Sequence, residues 1–358
     1  MLCETTVTGR DLHAATTSAS SSDTANDRSR RKPRLVSGIK ASGRLHLGNL
    51  EGVLRTWVSL QGQYESFLFV ADWHTLTTAA ESKPPPPDVR ARAREVAIDF
   101  LAAGIDPANA TVFIQSAVKQ HAELALLLGM ITPVAWLERV PTYRDLISAD
   151  RVGAPSFGLL GYPVLQTADI LLYRPEVVPV GRDQLPHLEL AREVARRFNH
   201  VYERVFVEPH ALLSQQSVLP GVDGRKMSKS YDNAIYLADS PAVTAAKIMD
   251  AFTTPTKLRR SDPGMPESCV VCQWRRIFDP LGYRYSWEED RAGRRGCIDN
   301  KRELVEIVND ALAPLRARRR ELSRDPVAVD RVLAEGAARA SVEAEATMDE
   351  VRRAMRLE

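Results

Sequence analysis

The chain has 358 residues, 44% of them hydrophobic, and its 48 basic and 46 acidic side chains leave a formal net charge of +2. That length supports a sizeable core and suggests two domains, while near-neutrality neither argues for nucleic acid nor excludes it, because basic residues can gather on one face. The longest apolar run, Leu124 to Ile131, is far too short for a bilayer span, and the four cysteines (Cys3, Cys269, Cys272, Cys297) are too few and scattered for a disulfide framework. A soluble, cytoplasmic protein with no membrane partner is expected.

Residues 1–33 are rich in Ser, Thr and Ala, lack the apolar core of a signal peptide, and end in the basic stretch Arg28 to Lys32, which suggests a disordered tail. A transit peptide fits less well, since Glu4, Asp11, Asp23 and Asp27 are unwelcome in one. From Arg34 buried strands alternate with amphipathic helices, the pattern of an α/β fold with a Rossmann-type doubly wound parallel sheet. Arg34 to Ile39 reads as a first strand, Lys40 to Gly43 as a turn, and the helix that follows carries Leu50, Val53, Leu54 and Trp57 on one face. A strand, a glycine-bearing turn and a helix N-terminus make an anion site: backbone N–H groups and the helix dipole face the ligand, Gly48 permits close approach, and His46 and Asn49 add donors.

Phe67 to Ala71 is a strand covered on both faces, and Asp72-Trp73-His74 follows at its carboxyl end, where open α/β sheets bind ligands. His74 is therefore a pocket candidate, with a structural histidine as the plain alternative. Lys83 to Pro87 reads as a stiff connector, after which Asp88 caps a helix with the buried stripe Ala93, Val96, Ala97, Phe100 and Leu101, and Gly104 stops it. Thr111 to Gln115 supplies another strand. Residues 120–160 interrupt the alternation with an apolar helical insertion, either core or a subunit interface. The alternation resumes with Asp169 to Tyr173 and Val177 to Val180, and Gly181-Arg182-Asp183-Gln184 opens a helix through Phe198. Beyond about Ala238 the chain reads as helices rich in Ala, Arg and Glu. Arg316, Arg318, Arg319 and Arg320 could touch RNA phosphates, but such a run is more often a solvated helix face.

Far downstream of the first segment stands Lys226-Met227-Ser228-Lys229-Ser230, flanked by Gly224. Together with His46-Leu47-Gly48-Asn49 it resembles the signature pair of class I aminoacyl-tRNA synthetases, and it matches their KMSKS pattern letter for letter. The chemistry of that family explains the residue types. A carboxylate attacks the α-phosphorus of ATP and pyrophosphate leaves, so mobile cations on a closing loop must neutralise a polyanion whose charge shifts during the reaction.

Within class I the chain most resembles the tryptophanyl-tRNA synthetases. The resemblance runs over roughly residues 34–355 through Ser37-Gly38-Ile39, Gly161 to Leu165, Ala168 to Tyr173, Val178 to Gln184 and Arg197-Phe198-Asn199. It implies ATP and Mg2+ as cofactors, L-tryptophan and tRNA(Trp) as partners, and a homodimer. It places catalysis on His46, Asn49, Lys226 and Lys229, and ATP against Lys40, His46, Gly48, Asn49, Gly181, Asp183, Lys226, Met227, Ser228 and Lys229. Tryptophan would lie against Val36, His74, Tyr162, Gln166, Asp169, Val178, Val180 and Gln184, with Asp169 accepting the indole N–H and Tyr162 and Gln184 holding the α-amino and carboxylate groups. A buried carboxylate at Asp169 needs a partner, and a ligand donor would supply one.

Departures from the family pattern are Lys40 and Trp73 where glutamine is common, and Gln166 where methionine is. Some members carry an iron–sulfur site ending in C-x6-C-x2-C; here Cys297 has the middle place, but Asp290 and Asn300 stand where its neighbours should be, and ordinary thiols are expected. The resulting division is a tail at 1–33, a catalytic domain at 34–238 with the insertion at about 120–160 as dimer interface, and a helical tRNA-binding domain at 239–358. A tyrosyl-type enzyme and a non-catalytic paralogue that binds tRNA or tryptophan are the alternatives.

Overall fold

In the computed structural model, five parallel strands lie in the order β3-β2-β1-β4-β5: β1 (Arg34–Lys40), β2 (Glu65–Ala71), β3 (Ala110–Ile114), β4 (Val177–Val180) and β5 (His210–Leu213). The described residues are 31–77, 88–148, 155–213, 219–254 and 256–358; most of the tail and the Lys83 to Pro87 connector lie outside them. β1 is central because its apolar residues are needed on both sides, and the order changes direction across it. That makes the carboxyl end of β1 the topological switch point, where such sheets open a crevice.

The connections behave as the sequence suggests. Helix α1 (residues 47–60) begins directly after the β1 turn and contains a five-residue π-helical stretch, Leu50–Leu54, in its middle; Leu54 and Trp57 are sealed in the core. α2 (Asp72–Leu76) caps β2. α3 (Val89–Ala102) starts on Asp88, whose carboxylate accepts the N–H groups of Arg90 and Ala91, and stops before Gly104, which adopts φ +105°. The insertion comprises α4 (Gln120–Gly129), α5 (Val134–Glu138) and α6 (Pro141–Ser148).

The first of the two segments expected to resume the alternation is not a strand. Asp169 to Leu171 is the last turn of α7 (Phe157–Leu171), whose apolar residues run nearly all round, so a buried helix and a buried strand look alike in a short window. The second segment is β4. Arg182–Gln184 forms a short turn of 3-10 helix leading into α8 (Leu185–Val201). β5 escaped the sequence reading because His210–Leu213 is a four-residue edge strand without a β-branched side chain.

The remaining helices are α9 (Pro241–Asp250), α10 (Val270–Phe278), α11 (Tyr283–Arg291), α12 (Cys297–Arg324) and α13 (Pro326–Ala354). α13 lies on β3 so closely that a Cβ at Gly336 would overlap the carbonyl of Val112. Arg34 ties the start of β1 to this helix, bonding Glu65, the carbonyl of Tyr173 and Glu343. Of the four arginines of the 316–320 run on α12, two turn inward instead of facing solvent. Arg316 bonds Asn309 and Thr244, and Arg319 pairs with Glu95 and with fully buried Asp99 of α3. Arg318 and Arg320 are exposed. Among the described residues no helix is long and apolar enough to cross a membrane.

Candidate active site

A cleft of about 390 Å³ opens at the carboxyl end of β1 and β4, and all eight residues expected around tryptophan line it: Val36, His74, Tyr162, Gln166, Asp169, Val178, Val180 and Gln184. They come from β1, α2, α7 and β4 and from the turn before α8, so only the switch point of the sheet could assemble them. Lys40 and Gly181, expected at ATP, line the same cleft. Trp73 does not; its ring turns away to the Lys119 ammonium, 5.5 Å from the ring centroid.

Asp169 sits at the floor, 2% exposed, and already has protein partners. Gln115 Nε2 donates to Oδ1 at 2.7 Å and to Oδ2 at 2.9 Å, His121 Nδ1 lies 2.7 Å from Oδ1, and His74 Nε2 lies 2.9 Å from Oδ2. The expectation that a ligand must satisfy this carboxylate therefore needs correction, because three side chains do so first. These four contacts occupy about all the acceptor sites of a carboxylate, so a ligand donor at Asp169 has to displace one of them. Burial alone would raise the Asp169 pKa, but the hydrogen bonds from His121 and His74 outweigh it and hold it at about 2. The far side of His121 meets the Tyr173 hydroxyl at 2.8 Å, which fixes the imidazole between a carboxylate and a phenol. His74 Nδ1 is buried without a partner.

The opposite wall is polar too. Tyr162 Oη and His187 Nε2 are 2.8 Å apart, and burial raises the Tyr162 phenol and lowers His187. The Lys40 ammonium lies 5.6 Å from the centre of the Tyr162 ring, so it reaches into this wall rather than back over the helix N-terminus, and desolvation there lowers its pKa. Gln115, His121, Thr142 and His187 were not singled out from sequence. Gln115 was within reach of the rule that flagged His74, since it follows a strand end; the others depend on helix rotation.

The two signature segments meet beside the cleft. Leu47 N donates to the Ile235 carbonyl at 2.9 Å, His46 pairs with Tyr236, and Met227 packs under Gly48, where an added Cβ would lie 3.7 Å from Met227 Cβ and 3.0 Å from the His46 ring. Lys229 Nζ bonds the Gly43 carbonyl at 2.8 Å and Ser42 Oγ at 3.2 Å, on the turn between β1 and α1. Lys226 Nζ stands 3.9 Å from Asp183 Oδ2, across from Gly181, whose Cβ would strike that carboxylate at 2.7 Å. Three assignments change in detail. Met227 is 3% exposed and its N–H serves the Leu219 carbonyl, so its side chain anchors the loop. Asn49 Oδ1 accepts the His46 backbone N–H at 3.1 Å, leaving only its amino group to point outward. Ser228 N–H is held by Asn233 Oδ1 at 2.8 Å.

The electrostatics suit an anion. His46 is held down to about 4 by burial and by Lys229 and Lys226, so it is neutral near pH 7 and acts as a hydrogen-bonding group rather than a charge. Burial lowers Lys229 to about 8, against the pull of Asp99.

The family model for class I tRNA synthetases (W and Y) matches residues 28–274. The tryptophan–tRNA ligase of Thermotoga maritima is 47% identical across 90% of this chain and 99% of its own length. The chain belongs to the tryptophan–tRNA ligase family. The Aquifex aeolicus ligase is 42% identical over 90% of this chain and 100% of its own. A solved structure of the Campylobacter jejuni tryptophanyl-tRNA synthetase, complexed with ADP and tryptophan, superposes with a TM-score of 0.80 at 32% identity, covering 89% of this chain and 98% of that one. The protein is thus a class I aminoacyl-tRNA synthetase by family, with the fold of its tryptophan branch.

Away from the cleft, Cys269, Cys272 and Cys297 lie near one another. Lys257 Nζ bonds Asp290 Oδ1 at 2.7 Å in a buried pair, and Asn300 Nδ2 lies 3.6 Å from Cys272 Sγ. Among the described residues no group of three or more His, Cys, Asp or Glu side chains is arranged to hold a metal.

Proposed function

We propose that this chain activates L-tryptophan with ATP to tryptophanyl-adenylate and pyrophosphate, then transfers the tryptophan to tRNA(Trp) in the cytoplasm. The observation that carries the reading is the meeting of both signature segments at the edge of one cleft that gathers every expected tryptophan contact. The indole N–H takes an acceptor position on Asp169 in exchange for one of its resident contacts, with Val36, Val178, Val180 and His74 around the ring. Tyr162 and Gln184 orient the α-amino and carboxylate groups, near Gln166. Proximity then sets the carboxylate against the α-phosphorus of ATP lying over Gly48 and the α1 N-terminus, with its ribose against Gly181 and Asp183. His46 and the Asn49 amino group donate to the phosphates. Lys226 and Lys229 follow the charge onto departing pyrophosphate, on a loop that Met227 and the Ser228 N–H anchor. For Lys229 this means exchanging the Gly43 carbonyl for a phosphate oxygen, a loop movement of the kind that gates such sites.

Mg2+ bound with the nucleotide would supply further charge neutralisation on the phosphates; among the described residues no group of three or more His, Cys, Asp or Glu side chains is arranged to hold it. Helices of 239–358 provide the tRNA-binding domain, and 34–238 the catalytic one. Two copies associate through the insertion: Leu126, Met130 and Val134 stand 61%, 69% and 56% exposed there, while Leu124 and Leu128 are used in the core. ATP–pyrophosphate exchange measured across the amino acids tests the activation step. Tryptophan should drive it and tyrosine should not, because a pocket built to hydrogen-bond its ligand rejects one that pairs wrongly. Exchange driven best by tyrosine would make this a tyrosyl-type enzyme, and no exchange at all would favour a binding paralogue.

A further inference from the structure

Cys269 and Cys272 stand outside the cleft, and the function above makes no use of them. Cys269 is the N-cap of α10: its Sγ accepts the Cys272 N–H at 3.4 Å. The two thiols are neighbours on the first turn of that helix, Cys269 half-buried and within reach of small oxidants, Cys272 sealed. The neighbouring Cys272 thiol lowers the Cys269 pKa, assisted by the N–H groups of Cys272 and Val271 against the effect of burial; the nearby Cys269 sulfur and burial push Cys272 up. The half-buried sulfur is therefore the better nucleophile and the buried one its neighbour on the same helical turn.

α10 also supports the loop that carries Lys226. Trp274 Nε1 donates to the Pro220 carbonyl at 2.8 Å, and Pro220 pairs with Lys226 across a tight hairpin closed by Gly221 N to Arg225 O at 2.6 Å. At its tip Gly224 has φ +85°, and a Cβ there would touch Val270 Cγ2 at 3.7 Å. Val270 follows Cys269 directly, so the cap that sets the Cys269 backbone also sets the side chain under the hairpin.

We propose that Cys269 and Cys272 are a peroxide-sensitive dithiol whose closure to a disulfide slows amino-acid activation through the 220–226 hairpin. Cys269 thiolate attacks one peroxide oxygen, giving a sulfenic acid and hydroxide. Cys272 sulfur then attacks the sulfenic sulfur and expels the second hydroxide. With both thiol protons accounted for, two thiols and one peroxide become one disulfide and two waters. The new bond takes Cys269 Sγ away from the Cys272 N–H, removing the α10 cap and shifting Val270.

The test uses the full chain treated with equimolar hydrogen peroxide and then alkylated. The expected result is a 269–272 segment about 2 Da lighter and unalkylated. Tryptophan-dependent pyrophosphate exchange should drop by about threefold or more and recover with dithiothreitol. Cys269→Ser, which keeps a capping oxygen, should abolish both effects, and Cys297→Ser should leave both intact. Alkylation of both thiols after treatment, oxidation of Cys269 to sulfinic acid without a crosslink, or a bond to Cys297 would overturn the proposal. So would a disulfide that leaves exchange unchanged. The activity measurement rests on the proposed function; the mass measurement does not, so a chain that fails to activate tryptophan still reports on the dithiol.

Discussion

Replacing Asp169 tests the floor of the cleft, and the structure sets the size of the effect. The carboxylate receives Gln115, His121 and His74 while 2% exposed. Its pKa is lowered from 3.8 to about 2, which corresponds to roughly 2–3 kcal/mol of favourable interaction with the charged form. The sign follows: a depressed folded pKa contributes stability above the unfolded value and loses it as pH falls from about 4 to about 2. Asp169→Ala removes this and strands three buried donors, so we expect a loss of about 3–5 kcal/mol, the range for breaking a buried polar network. Asp169→Asn keeps the volume and one acceptor but turns an amino group toward a donor. His74 can respond by moving its proton to the unpartnered Nδ1, so the loss should be nearer 1–3 kcal/mol. Urea unfolding at neutral pH, with the slope checked for constancy, measures both. In pyrophosphate exchange, Asn should raise the KM for tryptophan and erode selectivity over other aromatic amino acids. An Ala variant that unfolds at the same urea concentration as the parent, or one that keeps its tryptophan KM, would refute the reasoning.

Lys229→Ala should lower kcat for activation by about 10²-fold with a smaller change in the KM for ATP, since the charge it stabilises develops as pyrophosphate leaves; an effect on KM alone would make the segment a simple binding loop. Because Lys229 titrates at about 8, kcat/KM for ATP should decline as pH rises through that value, and Lys229→Arg should remove the decline. Lys40→Gln should weaken activation by about 1–3 kcal/mol if its ammonium meets an anionic group of the substrates in the cleft, and unaltered kinetics would leave it as a packing residue over Tyr162. Light scattering should report a dimer that Leu126→Arg shifts toward monomer; a stable active monomer of the unmutated chain at micromolar concentration would refute the interface.

Sequence by itself determined the parts of this protein whose physics is local. A strand, a glycine turn and a helix N-terminus bind anions wherever they occur, and a lysine-rich loop beside a glycine needs no neighbour to be recognised, so His46 to Asn49 and Lys226 to Ser230 were legible with their chemistry. Strand ends and caps were legible for the same reason: Asp88 and Gly104 mark α3 as expected, and His74 follows β2 into the cleft. What only the tertiary structure decided is where long-range partners fall. An apolar run around Asp169 reads alike as strand or helix, and the choice of helix is what aims Tyr162, Gln166 and Asp169 into one cavity with β1 and β4. The partners of Asp169 come from three other places, the end of β3, α4 and α2, Met227 turns into the core under Gly48, and Arg316 and Arg319 turn inward because Thr244, Glu95 and Asp99 wait on neighbouring helices. A charge run or a buried carboxylate states only that compensation is required; which group compensates is settled by packing, where the energy of pairing depends on distance in three dimensions and not along the chain.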